Sequence, residues 1–123
     1  MTHPVRRIGF LLWPGTRPLT LALAEEALRV SQRVHPDVHY ELLFLQAEPG
    51  AEAPLEGGWQ LPGSPWAGQL EGLHKLLLVT DEPPGALSPA LSAALKQAVR
   101  AGCVLGAVAA GVYPLAQLGL LDG

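Results

Sequence analysis

A chain of 123 residues, 49% hydrophobic and 15% charged, is long enough for one domain with a sizeable buried core, which excludes a disordered tail. Its formal net charge of -3, with 8 Lys plus Arg against 11 Asp plus Glu, leaves no basic footprint for a phosphate backbone. DNA contact is therefore expected only through a domain outside this stretch. The single cysteine, Cys103, excludes an internal disulfide and a Cys-x-x-Cys redox or metal motif, and it fits a reducing cytoplasm.

The opening MTHPVRRIGFLLWPG holds an apolar run broken at Pro14, too short to span a membrane and without a small-residue cleavage site. Its continuous apolar part, Arg7 to Trp13, predicts a central parallel strand covered on both faces. From about Leu19 to Val34, Leu21, Ala24, Leu28 and Ser31 recur at helical spacing with charges on the other side, and His35-Pro36 stops the helix. His39 to Gln46 and Lys75 to Thr80 predict two further strands. Between them, Ala47 to Gly72 is rich in Pro, Gly and Glu, and LEGGWQLPG is compatible with a hairpin or an irregular excursion. Ser88-Pro89 makes an N-cap and first-turn pair for a second helix with Leu91, Leu95, Ala98 and Val99 on one stripe. Gly102 ends that helix before a fourth main strand, Val104 to Val108.

Strands alternating with helices predict an α/β fold, a three-layer, doubly wound parallel sheet of the flavodoxin-like kind. Ligands in such sheets sit at the carboxyl ends of the strands. That rule collects Pro14 to Arg17, Thr80 to Pro84 and Val108 to Gly111. The last of these is a strand, a sharp turn of alanines and glycine, and a helix start, the layout that raises a nucleophile in many enzymes.

The runs GFLLWPGTRPLTLALAEEALRVSQRV, LLLVTD and GCVLGAVAAGVYPLAQLGLLDG resemble the ThiJ/PfpI superfamily, also called class I glutamine amidotransferase-like. Within it they are most similar to the N-terminal domain of GlxA-type, AraC-family transcription regulators. The more specific parts are EALR (Glu26 to Arg29) and the terminal GLLDG (Gly119 to Gly123). The resemblance places the family's elbow cysteine on Ala109 and the following threonine on Ala110, with Gly111 retained. The family's Gly-Gly after the third strand falls on Thr80-Asp81. An alanine offers no nucleophile, and a carboxylate beside a developing oxyanion opposes it, so both parts of the catalytic apparatus are missing. Cys103, six residues earlier on an extended strand, lies roughly 20 Å from the elbow at about 3.3 Å per residue. It reads as a small buried hydrophobe.

The resemblance thus implies a non-catalytic domain for small-molecule sensing and dimerisation, spanning residues 1–123, incomplete at its C-terminus and lacking the regulators' helix-turn-helix region. Its pocket is expected to gather Glu26, Arg17, Gly15, Thr80, Asp81, Ala109, Ala110 and Gly111. Glu26 is expected to point from the first helix toward the elbow, with Glu25 the solvated neighbour. Arg17 either helps hold an effector carboxylate or is an exposed loop residue. The effector class is amino-acid-derived or cationic, the partner a second copy of the chain, the location cytoplasmic, with no membrane, cofactor or metal. His35 and His39 flank a Pro-Asp turn rather than a helix, and Trp13, Trp59 and Trp66 read as packing residues. Two alternatives stand beside this reading: a superfamily enzyme (amidase, hydratase or glyoxalase-like) using Glu26, and a pure interaction module.

Overall fold

The computed structural model describes residues 5–14, 16–48, 63–81, 84–109 and 111–119. In chain order these form β1 (Val5–Leu12), α1 (Pro18–Val34), β2 (His39–Gln46), β3 (Ser64–Pro65), β4 (Lys75–Thr80), α2 (Pro89–Arg100), β5 (Val104–Ala109) and α3 (Val112–Gln117). The five strands make one sheet in the order β3-β2-β1-β4-β5, and every pairing is parallel. This is the flavodoxin-like, three-layer α/β fold expected from the strand-helix alternation.

The apolar run of β1 explains its central place. Ile8, Phe10, Leu11 and Leu12 are all at most 3% exposed, because a parallel strand in mid-sheet is covered on both faces. Successive side chains point to opposite faces. Phe10 and Leu12 join Val79 under Leu21 and Ala24 of α1, whereas Leu11 joins Leu76 and Leu78 under Leu91, Leu95 and Ala98 of α2. Phe10 also stacks on its register partner Phe44 of β2, with ring centroids 5.3 Å apart. The α1 and α2 crossovers run in opposite directions from the sheet centre, so the right-handed rule puts their helices on opposite faces.

The helix ends follow the sequence signals. Ser88 caps α2 by accepting a hydrogen bond from the Leu91 N–H at 3.1 Å, and Pro89 occupies the first turn. At the other end Gly102 has φ +103°. Its N–H donates to the Val99 carbonyl and the Cys103 N–H to that of Ala98, a Schellman closure that only a residue free to adopt positive φ makes cheaply. The C-terminus of α1 is tied to β2 by Gln32, which accepts from the Tyr40 N–H and donates to the Val38 carbonyl.

The stretch between β2 and β4 differs from a hairpin where it is described. Ser64–Pro65 adds a two-residue parallel edge strand to β2, and the chain then turns irregularly to His74. Pro65 lacks an N–H for the ladder, which confines such a segment to an edge. Trp59 lies outside the described residues. Trp13 is 2% exposed in the core and Trp66 packs partly buried against it, both as packing residues.

Candidate functional site

Strand order reverses at β1, whose neighbours β2 and β4 are reached by crossovers on opposite sides. The crevice outside the carboxyl ends of β1 and β4 is the usual ligand position in such a sheet. Here the chain fills part of it with its own polar groups. Thr16, fully buried, donates its hydroxyl to the Trp13 carbonyl at 2.7 Å and to the Val79 carbonyl at 3.1 Å. This ties the loop after β1 to the end of β4. Asp81, directly after β4, accepts the Arg17 N–H at 2.6 Å and the Thr20 hydroxyl at 2.6 Å.

Arg17 is the N-cap residue of α1 and makes no side-chain cap of its own. Asp81, just after β4, accepts the N–H of the N-cap residue itself, the bond that the Glu or Gln of a capping box makes from within the helix. A carboxylate there also complements the positive end of the helix dipole. The Arg17 N–H at this terminus is therefore already engaged, and the Arg17 side chain is exposed.

The elbow follows the expected strand, turn and helix. Thr80, fully buried, and Ala109 face each other in the last register pair of β4 and β5. Gly111 then turns the chain, donating its N–H to the Val108 carbonyl at 3.0 Å. A Cβ on Gly111 would stand 1.9 Å from the Leu78 carbonyl oxygen, so the turn runs against the β4 backbone and only glycine fits. Gln117 of α3 accepts the Leu87 N–H at 3.0 Å and donates to the Gly85 carbonyl at 3.4 Å, which fastens the segment before α2 to the elbow helix. Gly15 and Ala110 lie outside the described residues.

Glu26 is placed differently from its expectation. Its side chain is 55% exposed and lies 4.0 Å from Arg33, while Glu25 is 27% exposed and lies 3.5 Å from Arg29. The reason is the helix phase. Leu21 and Ala24 face the sheet with Leu28 beside them, and residue 26 lies about 200° around the helix from Ala24 at 100° per residue. The more covered carboxylate of the pair is Glu25.

Cys103 sits at the amino end of β5, one strand length from Ala109. Burial pushes its thiol above the ordinary value, which keeps it protonated and unreactive. It lines a cavity of about 780 Å³ between the 66–74 segment and the last turn of α2, together with Arg6, Trp66, Leu73, His74 and Ala98. That cavity lies at the amino ends of the strands, opposite the crevice at Asp81. Sequence reasoning collected Thr16 only as part of the Pro14 to Arg17 loop and missed Thr20 and Gln117, because the bond from Thr16 to Val79 and those of Thr20 and Gln117 span 63, 61 and 30 or more residues. Among the described residues no three His, Cys, Asp or Glu side chains come together as metal ligands, and no helix is long and apolar enough to cross a membrane.

No protein-family model matches the chain. It is 62% identical over 123 residues to the HTH-type transcriptional regulator ArgR of Pseudomonas aeruginosa, covering 100% of this chain and 36% of that protein. It is 38% identical over 118 residues to the HTH-type transcriptional regulator CdhR of the same organism, covering 93% of this chain and 34% of that protein. The chain thus spans about a third of the length of these curated relatives. Among solved structures it is similar to an AraC family transcriptional regulator from Pseudomonas putida, with a TM-score of 0.72 at 19% identity over 95% of this chain and 72% of that one. A transcriptional regulator protein from Vibrio parahaemolyticus superposes with a TM-score of 0.73 at 17% identity, over 95% of this chain and 63% of that one. The sequence relatives are transcriptional regulators, and the structural neighbours establish the fold.

Proposed function

We propose that this chain is the non-catalytic sensing and dimerisation domain of a cytoplasmic transcription regulator, of ThiJ/PfpI type and of the AraC family. The observation that carries the reading is the 62% identity, over the whole of this chain, to an HTH-type transcriptional regulator. DNA contact belongs in this reading to a helix-turn-helix domain outside the 123 residues, in keeping with the net charge of -3. The elbow supports a site that binds without reacting. Its strand ends on Ala109, which carries no nucleophile, and where the resemblance expects Gly-Gly the chain has Thr80-Asp81, with the carboxylate engaged by the Arg17 N–H and the Thr20 hydroxyl.

The effector site in this reading is the carboxyl-end crevice bounded by Arg17, Thr80, Asp81 and the turn at Gly111, with Gly15 and Ala110 as its loop residues. The effector is a small amino-acid derivative or cationic nitrogen compound. A thermal-shift titration of the chain against amino acids, betaines and polyamines tests this. Saturable stabilisation is the expected result, since a ligand that binds only the folded state raises stability by mass action. Glu26→Gln is expected to leave that shift unchanged, because its carboxylate is turned to solvent and Arg33. A cooperative melt with no response to any of these compounds would instead favour an interaction module. Turnover of an amide or dicarbonyl substrate abolished by Glu26→Gln would favour an enzyme.

A further inference from the structure

The layer of the fold that holds α2 is incomplete. β1 leads to β2 through α1 and β4 leads to β5 through α2, but β3 leads to β4 through residues 66–74, which form no helix. This crossover runs across the sheet in the same direction as the one carrying α2, so the right-handed rule puts both on the same face. Leu70 and Leu73 accordingly share a buried cluster with Leu91 and Leu95. A short irregular segment, turned at Gly68 and Gly72 with φ +76° and +77°, fills less of the layer than a helix would. Between it and the last turn of α2 lies the cavity of about 780 Å³, the size of a small-molecule site.

The cavity joins an apolar interior to charges of both signs. Leu70, Leu73 and Ala98 are at most 9% exposed, and Trp66 stands partly buried beside them. Arg6 and Glu71 line it as exposed residues, and neither has an ion-pair partner among the described residues. The Nδ1 atom of His74 accepts the Arg7 N–H at 2.9 Å, so the neutral ring carries its proton on Nε2 and keeps a donor to offer.

We propose that this cavity is a second ligand site, at the opposite end of the strands from the Asp81 crevice, and that it takes a zwitterionic amino acid with an apolar or aromatic side chain. Arg6 and the His74 Nε2–H receive the carboxylate, Glu71 receives the ammonium group, and the ligand's side chain lies on Trp66 against Leu70, Leu73 and Ala98. A ligand with only a negative charge meets Glu71 unpaired, and one with only a positive charge meets Arg6 unpaired. The site therefore discriminates by requiring both charges on one head group.

Amide NMR of the isotope-labelled 123-residue chain, titrated with L-phenylalanine, tests the proposal. Saturable shifts are expected in residues 66–74, in the last turn of α2 and at the Trp66 indole, with Arg17, Asp81 and Gly111 unmoved. Arg6→Ala and Glu71→Ala should each weaken binding by about tenfold, and so should replacing the probe with phenylacetate or phenethylamine, which lack one charge each. Ala101 is an exposed residue of the lining, so Ala101→Trp should block the cavity while the circular dichroism stays that of the wild type. No shift at millimolar L-phenylalanine, shifts confined to Arg17, Asp81 and Gly111, or binding that survives Ala101→Trp overturns the site. Phenylacetate binding as tightly as L-phenylalanine overturns the zwitterionic class. The position of the shifts separates this cavity from the crevice, so each site stands or fails alone.

Discussion

The Asp81 carboxylate, just beyond the end of β4, ties down the start of helix α1, accepting the Arg17 N–H at 2.6 Å across 64 residues of sequence. A second bond from the Thr20 hydroxyl fixes its other oxygen. Asp81→Ala removes both acceptors and is expected to cost about 1–2 kcal/mol. Asp81→Asn keeps an acceptor oxygen and loses the charge, so it should cost less. Urea denaturation of the two variants measures the difference. An Asp81→Ala midpoint equal to that of the wild type would contradict the capping role.

Gly111 and Gly106 separate two kinds of crowding. An added Cβ at Gly111 meets the Leu78 carbonyl oxygen at 1.9 Å, which is main chain and cannot step aside. At Gly106 it meets the Leu77 Cδ2 at 2.8 Å, the end of a flexible side chain. Gly111→Ala is expected to destabilise the fold by about 3 kcal/mol and Gly106→Ala by about 1 kcal/mol or less. Equal melting temperatures for the two variants would show that the elbow turn relaxes without cost.

The two ends of α2 offer a paired test of capping. Ser88→Ala removes the acceptor of the Leu91 N–H and should cost about 1 kcal/mol. Gly102→Ala forces a Cβ into φ +103° and should cost about 1–2 kcal/mol. Amide exchange should quicken in the first turn for the former and in the last turn for the latter. Exchange unchanged at both ends would refute the assignment of these caps.

Burial raises the Cys103 thiol, so the folded state holds its proton to higher pH than the unfolded state does. Stability is unaffected by this group below the unfolded thiol value of about 8.5, and declines as pH rises above it, since only the unfolded chain then releases the proton readily. Cys103→Ala should flatten that decline between about pH 8 and 10. Alkylation of the native protein at neutral pH should be slow and should become fast only in denaturant. Rapid labelling of the folded protein would contradict this assignment.

The sequence by itself determined those features that depend on neighbours along the chain. A continuous apolar run marked β1 as a central strand, Lys75 to Thr80 was legible as a further strand, a period of 3.6 marked an apolar face on α1 and on α2, and Ser88-Pro89 and Gly102 marked the ends of α2, because capping and amphipathicity act within a turn or two. The strand, turn and helix at Ala109 to Gly111 was legible for the same reason. Only the tertiary structure decided what Asp81 does, since its partners at Arg17 and Thr20 are brought to it by the pairing of β1 with β4. It also decided the phase of α1. Both Glu25 and Glu26 are compatible with the helical pattern, and so are two apolar stripes. The packing of Leu21 and Ala24 against Phe10 and Val79 turned Glu26 and the stripe from Leu19 to Val34 to solvent. Periodicity names the faces of a helix, and the buried contacts of the sheet choose between them.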